Sequence, residues 1–310
     1  MGKLPIYVEK DYLHNFNHLI EDNEFDTCKL NLFALKICNN QFDYNLLIED
    51  LVDRVVTFCT QSEMFIKYKE KNNIGKLSRD SRRLFKEYIA VKRSIENNTS
   101  LKESKDGELG ELMLYSFAES HLGAPKILTK MRCKTSSNDA VKRSDGIHLV
   151  KLDEDYYEIA YGESKLYESL TEGLTKAFTS ISDFITRDNN NINEEKAFLV
   201  SNISNEFNET EYNLLKRILI PSEEEIYLEN SFIIFVGFEI NIPSEIDILR
   251  GPKFKDALYK HVKENVEKRI KHIQKKIKEF KLERYNFYIY LVPFTELNKT
   301  KAEILKEILS

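Results

Sequence analysis

The chain has 310 residues, of which 42% are hydrophobic and 31% charged, with only 10 Gly and 6 Pro. This composition excludes a disordered, collagenous or low-complexity protein and predicts a folded, soluble one. The formal net charge of -5 also excludes a generic basic protein that coats nucleic acid. The length favours about two domains, or one decorated α/β unit.

Signals for export, metal binding by cysteine and nucleotide binding are missing. Residues 1–10 lack the basic start and apolar run of a secretory signal, and no apolar run reaches the ~18 residues of a membrane span, so we expect a cytoplasmic protein with no membrane contact. The cysteines Cys28, Cys38, Cys59 and Cys133 form no CxxC pair, which argues against a disulfide framework or a cysteine zinc site. Without a GxxxxGK[S/T] phosphate loop, an autonomous ATPase is not expected.

The first hundred residues predict an α-rich region with a little strand. Lys29–Leu35 alternates in the manner of a strand, and helical periodicity follows at 46–58 and 84–95. A polar stretch at 97–106 then predicts a linker. We therefore divide the chain into an N-terminal region, residues 1–100, that could dock a partner, and a second domain, residues 101–310.

The second domain begins with an amphipathic helix that carries two acids. From Gly107 the apolar residues recur at helical spacing, and Gly123 and Pro125 supply stop signals. Glu108 and Glu111 are three residues apart, so they lie on one face of this helix.

Strands and helices follow in an order that indicates a mixed central sheet flanked by helices. Apolar and β-branched runs predict strands at 127–131, 146–152, 156–162, 197–203, 231–240 and 285–292. Helical periodicity predicts helices at 166–185, 208–219, 299–309 and, from Gly251-Pro252 onward, a long helix to about residue 280.

The predicted hairpin of strands 146–152 and 156–162 brings two carboxylates together. A register centred on Glu154 in the polar turn places Asp145 directly opposite Glu163. Side chains directly opposite each other have Cβ atoms roughly 4.5–5.5 Å apart, close enough to share one divalent cation. A slip of one residue would separate them, and the sequence alone does not fix the register.

Glu163 and Lys165 also share a face of their strand, with the Ser164 carbonyl between them. A hard cation held by carboxylates, with an ammonium beside it, is suited to hydrolysis of a phosphodiester. The tripeptide Glu-x-Lys is common in this charged chain, where it is usually a solvated surface pair, and it recurs at 103–105, 194–196 and 279–281. Only the copy at 163–165 follows a strand that can pair with one beginning at an Asp.

A helix Glu, a strand Asp, Glu-x-Lys and a following helix together resemble the PD-(D/E)XK core of restriction-endonuclease-like nucleases. The amino-acid sequences of four motifs are more specific and resemble the HamA family, the nuclease subunit of Hachiman anti-phage defence. These motifs are Gly107–Glu111, Ser144–His148, Gly162–Tyr167 and Leu291–Phe294. The resemblance covers residues 100–300 and is strongest at 107–185.

This resemblance implies a bacterial effector that degrades DNA and is held in a complex with a helicase, HamB. It assigns Asp145 and Glu163, the Ser164 carbonyl, and either Glu108 or Glu111 as ligands of Mg²⁺ or Mn²⁺. Lys165 is the implied catalytic lysine. The chain departs from the superfamily pattern in having Ser144 where a Pro often precedes the Asp.

The sequence thus predicts an α/β protein with a restriction-endonuclease-like core, acting as an Mg²⁺-dependent DNase of a Hachiman-type complex. A stand-alone restriction-type endonuclease and a catalytically silent binding subunit of a helicase complex are the alternatives. The segment 253–281 holds eleven Lys or Arg against four acids. It is either a solvated helix face or a surface for DNA phosphates or a partner.

Overall fold

A computed structural model describes residues 3–25, 27–98, 107–129, 144–186, 191–220 and 226–310 of the chain. The strands are β1 (Phe16–Phe25), β2 (Cys28–Leu35), β3 (Ile37–Cys38), β4 (Gln41–Phe42), β5 (Gly146–Asp153), β6 (Tyr156–Tyr167), β7 (Tyr227–Glu239) and β8 (Asn286–Phe294). Six of them form one sheet in the order β1-β2-β8-β7-β6-β5, while β3 and β4 pair separately. The four central strands run parallel, and β1 and β5 are antiparallel to their neighbours.

The α-helices are α1 (Tyr44–Cys59), α2 (Ser62–Glu70), α3 (Ile74–Asn98), α4 (Gly107–Ser120), α5 (Leu170–Thr186), α6 (Asn191–Asn202), α7 (Glu209–Leu219), α8 (Ser244–Asp247), α9 (Pro252–Glu279) and α10 (Leu297–Leu309). Short 3₁₀ helices cover Lys10–Asn15 and Ile203–Asn205. Within the described ranges, no helix is both long and apolar enough to cross a bilayer.

Helices cover the sheet on both faces. On one face Phe117 of α4 stacks against Phe235 of β7 and Tyr290 of β8. On the other face Phe178 of α5 packs against Phe287 of β8, and α9 lies beside α5. Because both faces are covered, the central strands are continuous apolar runs, as in the buried stretch of β7. The mixed sheet flanked by helices is confirmed.

The N-terminal region shares this sheet. β2 pairs in parallel with β8, and β1 extends the sheet outward from β2. Residues 99–106, which include most of the predicted linker, lie outside the described residues. The division at residue 100 stays a prediction. Among the cysteines of the described residues, Cys28 and Cys38 are free, and Cys133 lies outside the described residues.

Three element predictions were wrong in part. The run 197–203 is helical, not extended, because Glu195, Leu199 and Ile203 are buried at a spacing of four and form one helix face. Of the predicted strand 127–131, residues 130–131 lie outside the described residues. The rest forms no strand. The chain makes only a bridge from Lys126 to His148, because β5 begins at Gly146 and offers no longer partner strand to residues beyond Ile127.

The predicted helix 166–185 begins later than its apolar period suggested. β6 continues to Tyr167, and α5 begins at Leu170. Leu166 is a strand residue that packs toward Gly110 of α4. This extension matters for the site, because it places Glu163 and Lys165 within the strand and not after it.

Candidate functional site

The predicted hairpin register is confirmed, and it creates an open strand edge. Gly146 pairs with Gly162, and the same register continues to the pair Lys151–Tyr157. β5 begins at Gly146 while β6 runs on to Tyr167. Among the described residues, no strand covers this side of β6 beyond Gly162.

Asp145 lies at the start of this open edge. Its backbone N–H donates to the Gly162 carbonyl oxygen at 2.7 Å, which holds it beside Glu163. Its carboxylate Oδ2 accepts two hydrogen bonds from Ser164, one from the backbone N–H and one from Oγ, both at 2.7 Å. The carbonyl of a strand residue points to the same side as its N–H, so the Ser164 carbonyl also faces the open edge.

Glu163 and Lys165 form an ion pair on the face covered by α5. Lys165 Nζ lies 2.8 Å from Glu163 Oε1, and Ser180 of α5 also hydrogen-bonds Glu163. Burial, followed by the negative charge of Asp145, raises the pKa of Glu163 to about 7, although Lys165 and Ser180 oppose the shift. Two carboxylates therefore lie close enough to repel each other.

Lys165 stays a cation in this surrounding. Burial lowers the pKa of its ammonium, but the charges of Glu163 and Asp145 outweigh burial and raise that pKa to about 12. The side chain is thus a hydrogen-bond donor and a positive charge at neutral pH. It cannot take up a proton there.

The acidic helix contributes Glu111 from the opposite face. Glu111 and Asp145 line one small cavity of about 20 Å³, together with Tyr88 of α3 and His148. The Tyr88 hydroxyl lies 2.7 and 3.0 Å from the two carboxylate oxygens of Glu111. Glu108 is 2% exposed and does not line this cavity. Of the two helix acids, Glu111 is thus the one that lines the cavity with Asp145, and which of them would bind a cation stays a prediction.

The site thus collects residues from both faces of the sheet around one strand edge. Glu111 comes from the α4 face, Glu163 and Lys165 come from the α5 face, and Asp145 lies between them. A family model described as HamA matches residues 10–308. The chain belongs to the HamA family.

Membership in the HamA family implies a component of Hachiman anti-phage defence. The match begins at residue 10, so it includes the N-terminal region, where the motif resemblance was less clear. No curated protein and no solved structure matches the chain.

The oxygen donors at the open edge suit a hard divalent cation in this HamA-family chain. Asp145, Glu163 and the Ser164 carbonyl offer oxygen only, which Mg²⁺ and Mn²⁺ prefer. Burial and the charge of Asp145 raise the pKa of Glu163, and such a cation would relieve the repulsion between the two carboxylates. Across the described ranges, no three His, Cys, Asp or Glu side chains are grouped as a closed metal site.

The sequence did not predict the side chains that hydrogen-bond the acidic residues of the site. Tyr88 is 23 residues from Glu111 in the chain and lies on another helix, so no local pattern indicates it. The contact of the Ser164 hydroxyl with Asp145 depends on the strand register. Ser180 lies on the helix that follows the Glu-x-Lys strand, but its pairing with Glu163 depends on where β6 ends.

His148 has a structural role. It lies on the opposite strand face from the ion pair, as alternation predicts, and is buried. Its Nδ1 lies 2.9 Å from the Ala124 carbonyl oxygen, and burial lowers the pKa of its imidazole to about 4. A neutral, bonded histidine here supports the wall of the cavity.

Proposed function

We propose that this HamA-family chain is a divalent-metal-dependent deoxyribonuclease with a site of the PD-(D/E)XK type. The observation that carries the proposal is Asp145 beside Glu163-Ser164-Lys165 at an open strand edge, with Glu163 and Lys165 ion-paired on one face. A carboxylate pair that repels and a neighbouring lysine that remains charged are the groups required for phosphodiester hydrolysis.

Asp145, Glu163 and the Ser164 carbonyl would hold Mg²⁺ or Mn²⁺, with Glu111 completing the acidic set. The bound cation would polarise a phosphoryl oxygen and lower the pKa of a bound water. Lys165 donates hydrogen bonds and opposes the negative charge that develops on the phosphate, because its raised pKa keeps it protonated. Ser180 and Lys165 together hold the Glu163 carboxylate in place.

The proposed biological setting is a Hachiman-type complex in which a HamB-type helicase restrains this DNase. Family membership supports the defence role, and the helicase partner is inferred from the family. The family model matches the N-terminal region as well as the site. One sheet joins the two, because β2 of the N-terminal region pairs with β8. A partner would therefore contact a chain in which the N-terminal region and the site share one sheet.

The deciding experiment is plasmid degradation with Mg²⁺, on the purified chain and on its complex with the helicase. Glu163→Gln and Lys165→Gln keep side-chain size but remove the charges, so cleavage should fall by about 10²–10⁴-fold. Glu194→Gln and Lys196→Gln change the same tripeptide on α6, where Glu194 is exposed and Lys196 half-buried, and should cleave as wild type does.

Equal cleavage by wild type, Glu163→Gln and Lys165→Gln would contradict the site. A wild type that is silent both alone and in the triggered complex would contradict the activity and favour a binding subunit. If the chain purified from its native cell carries no helicase and still cleaves DNA, a stand-alone endonuclease is favoured.

A further inference from the structure

Helix α4 contacts β6 at Gly110, which lies between Glu108 and Glu111. A Cβ at Gly110 would lie 3.0 Å from Ser164 Oγ and 3.1 Å from Ser164 Cβ. Contacts this short are tighter than ordinary van der Waals distances, so any side chain at position 110 would push Ser164 away from the helix. Gly110 therefore leaves the space in which the Ser164 side chain lies.

The Ser164 side chain uses that space to reach Asp145. Its hydroxyl donates to Asp145 Oδ2 at 2.7 Å, alongside the backbone N–H at the same distance. Hydrogen bonds to an ionised carboxylate are stronger than neutral ones. Ser164 is only 7% exposed, so water has little access to replace its hydroxyl.

We propose that Ser164 is a positioning residue for Asp145, and that Gly110 is required because it makes room for the Ser164 hydroxyl. Two donors on one carboxylate oxygen fix the rotation of the Asp145 side chain, which a single backbone N–H would leave free to turn. The proposal rests on the proposed function, since it gives Asp145 a part in holding the cation. Ser164 acts through Asp145, because its hydroxyl donates a hydrogen bond to the carboxylate that would hold the cation.

The variants separate the hydroxyl from the backbone. Ser164→Ala keeps the N–H bond and removes the hydroxyl, so Mn²⁺ affinity should fall about 10–100-fold, the loss typical when a group that orients a metal ligand is removed. Gly110→Ala should cause a similar loss in a chain with Ser164. Gly75→Ala on α3 is the matched control, because a Cβ there has no atom within 4 Å. It should leave Mn²⁺ affinity unchanged.

A double-mutant cycle tests whether Gly110 on the helix and Ser164 on the strand are energetically coupled. Ser164→Gly removes the two Ser164 side-chain atoms that a Cβ at position 110 would meet at 3.0 and 3.1 Å, so Gly110→Ala should cost much less stability in the Ser164→Gly background than in wild type. The free energy of unfolding is measured by denaturant in EDTA, which needs neither metal nor DNA. Titration of the full chain with Mn²⁺ alone, followed by electron paramagnetic resonance, gives the affinities of the folded variants.

The expected result is coupling in the unfolding cycle together with weaker Mn²⁺ binding by Ser164→Ala. An additive cycle would overturn the role of Gly110. Unchanged Mn²⁺ affinity in Ser164→Ala, with a wild type that cleaves DNA, would overturn the positioning role alone. A wild type that neither binds Mn²⁺ nor cleaves DNA would overturn the proposed function and this inference with it.

Discussion

Glu163 is buried beside another carboxylate, and this determines how its charge affects folding. The pKa of Glu163 is about 7 in the folded chain against an ordinary value of 4.5, because of burial and the charge of Asp145. A group with a raised pKa binds its proton more tightly in the folded state. Its contribution to stability is therefore complete below pH 4.5 and is lost as the pH rises through 7.

We predict that wild type loses stability relative to Glu163→Gln as the pH rises from 5 to 8 without divalent metal. The glutamine resembles the protonated acid and does not titrate, so the difference between the two unfolding free energies isolates Glu163. Denaturant unfolding in EDTA at several pH values measures it. Glu194→Gln, at an exposed position of α6, controls for the loss of one carboxylate. A difference that is constant from pH 5 to 8 would contradict the raised pKa.

Residues that meet at the open edge could be predicted from the sequence where they lie in neighbouring segments of the chain. Strand alternation and one hairpin register suffice for Asp145, Glu163 and Lys165, because these residues lie in adjacent segments. Glu111 could not be separated from Glu108, since both lie on one helix face and only the packing of α4 decides between them. Tyr88 needed the fold, because α3 approaches α4 from a separate part of the chain.

Helix α9 shows how an element can combine a core face with a charged face. Its buried positions run along one side from Phe254 to Ile277, whereas Lys271 and Lys275 are exposed. The long helix, its Gly251-Pro252 start and its apolar stripe were predicted from the sequence and are confirmed. The helix packs beside α5, on the same face of the sheet as Lys165. Its lysines could therefore meet a DNA backbone that reaches the site from this face.

We predict that Lys271→Glu/Lys275→Glu weakens DNA binding and lowers the slope of log affinity against log salt. Each phosphate contact contributes about 0.9 to that slope for duplex DNA, so loss of two contacts lowers it by about 2. Fluorescence anisotropy in the Glu163→Gln background, from low to high salt, measures the slope without cleavage. Lys299→Glu/Lys306→Glu on α10 changes the net charge equally on exposed positions of another helix. An equal effect of both pairs would indicate a general charge effect and no phosphate contact by α9.

Element boundaries were the least predictable level. The run 197–203 has the β-branched and aromatic residues of a strand, but burial at every fourth position makes it part of α6. Propensity is a weak preference, and packing against α5 overrides it. β6 is longer than predicted for a related reason. Its parallel pairing with β7 continues to Tyr167 and keeps residues 163–167 extended.

At the scale of the whole molecule, the N-terminal region contributes to the site through α3. The Tyr88 hydroxyl donates to the Glu111 carboxylate at the edge of the cavity that Asp145 also lines. A hydroxyl between both oxygens occupies the side from which a cation would bind them. If Glu111 completes the proposed metal site, Tyr88 and the cation would compete for Glu111.

We predict that Tyr88→Phe lowers the free energy of unfolding in EDTA by about 1–3 kcal/mol, the cost of removing one partner of a buried charged hydrogen bond. Added Mn²⁺ should reduce this loss, because the cation replaces the hydroxyl at Glu111. Denaturant unfolding with and without Mn²⁺ measures both. Tyr68→Phe removes a hydroxyl bonded to Asp80 away from the site, so its cost should not depend on Mn²⁺. A Tyr88→Phe cost that Mn²⁺ leaves unchanged or increases would contradict competition.

The pairing of β2 with β8 joins segments about 260 residues apart in the chain. At ribosomal rates of roughly 5–20 residues per second, the β1–β2 hairpin waits on the order of ten to fifty seconds for its partner to be synthesised. The sheet is completed only when the last strand leaves the ribosome. Nascent chains that have not reached β8 thus lack the finished sheet that supports the open strand edge, so a cell that makes this protein meets the assembled site only after residue 294 has been added.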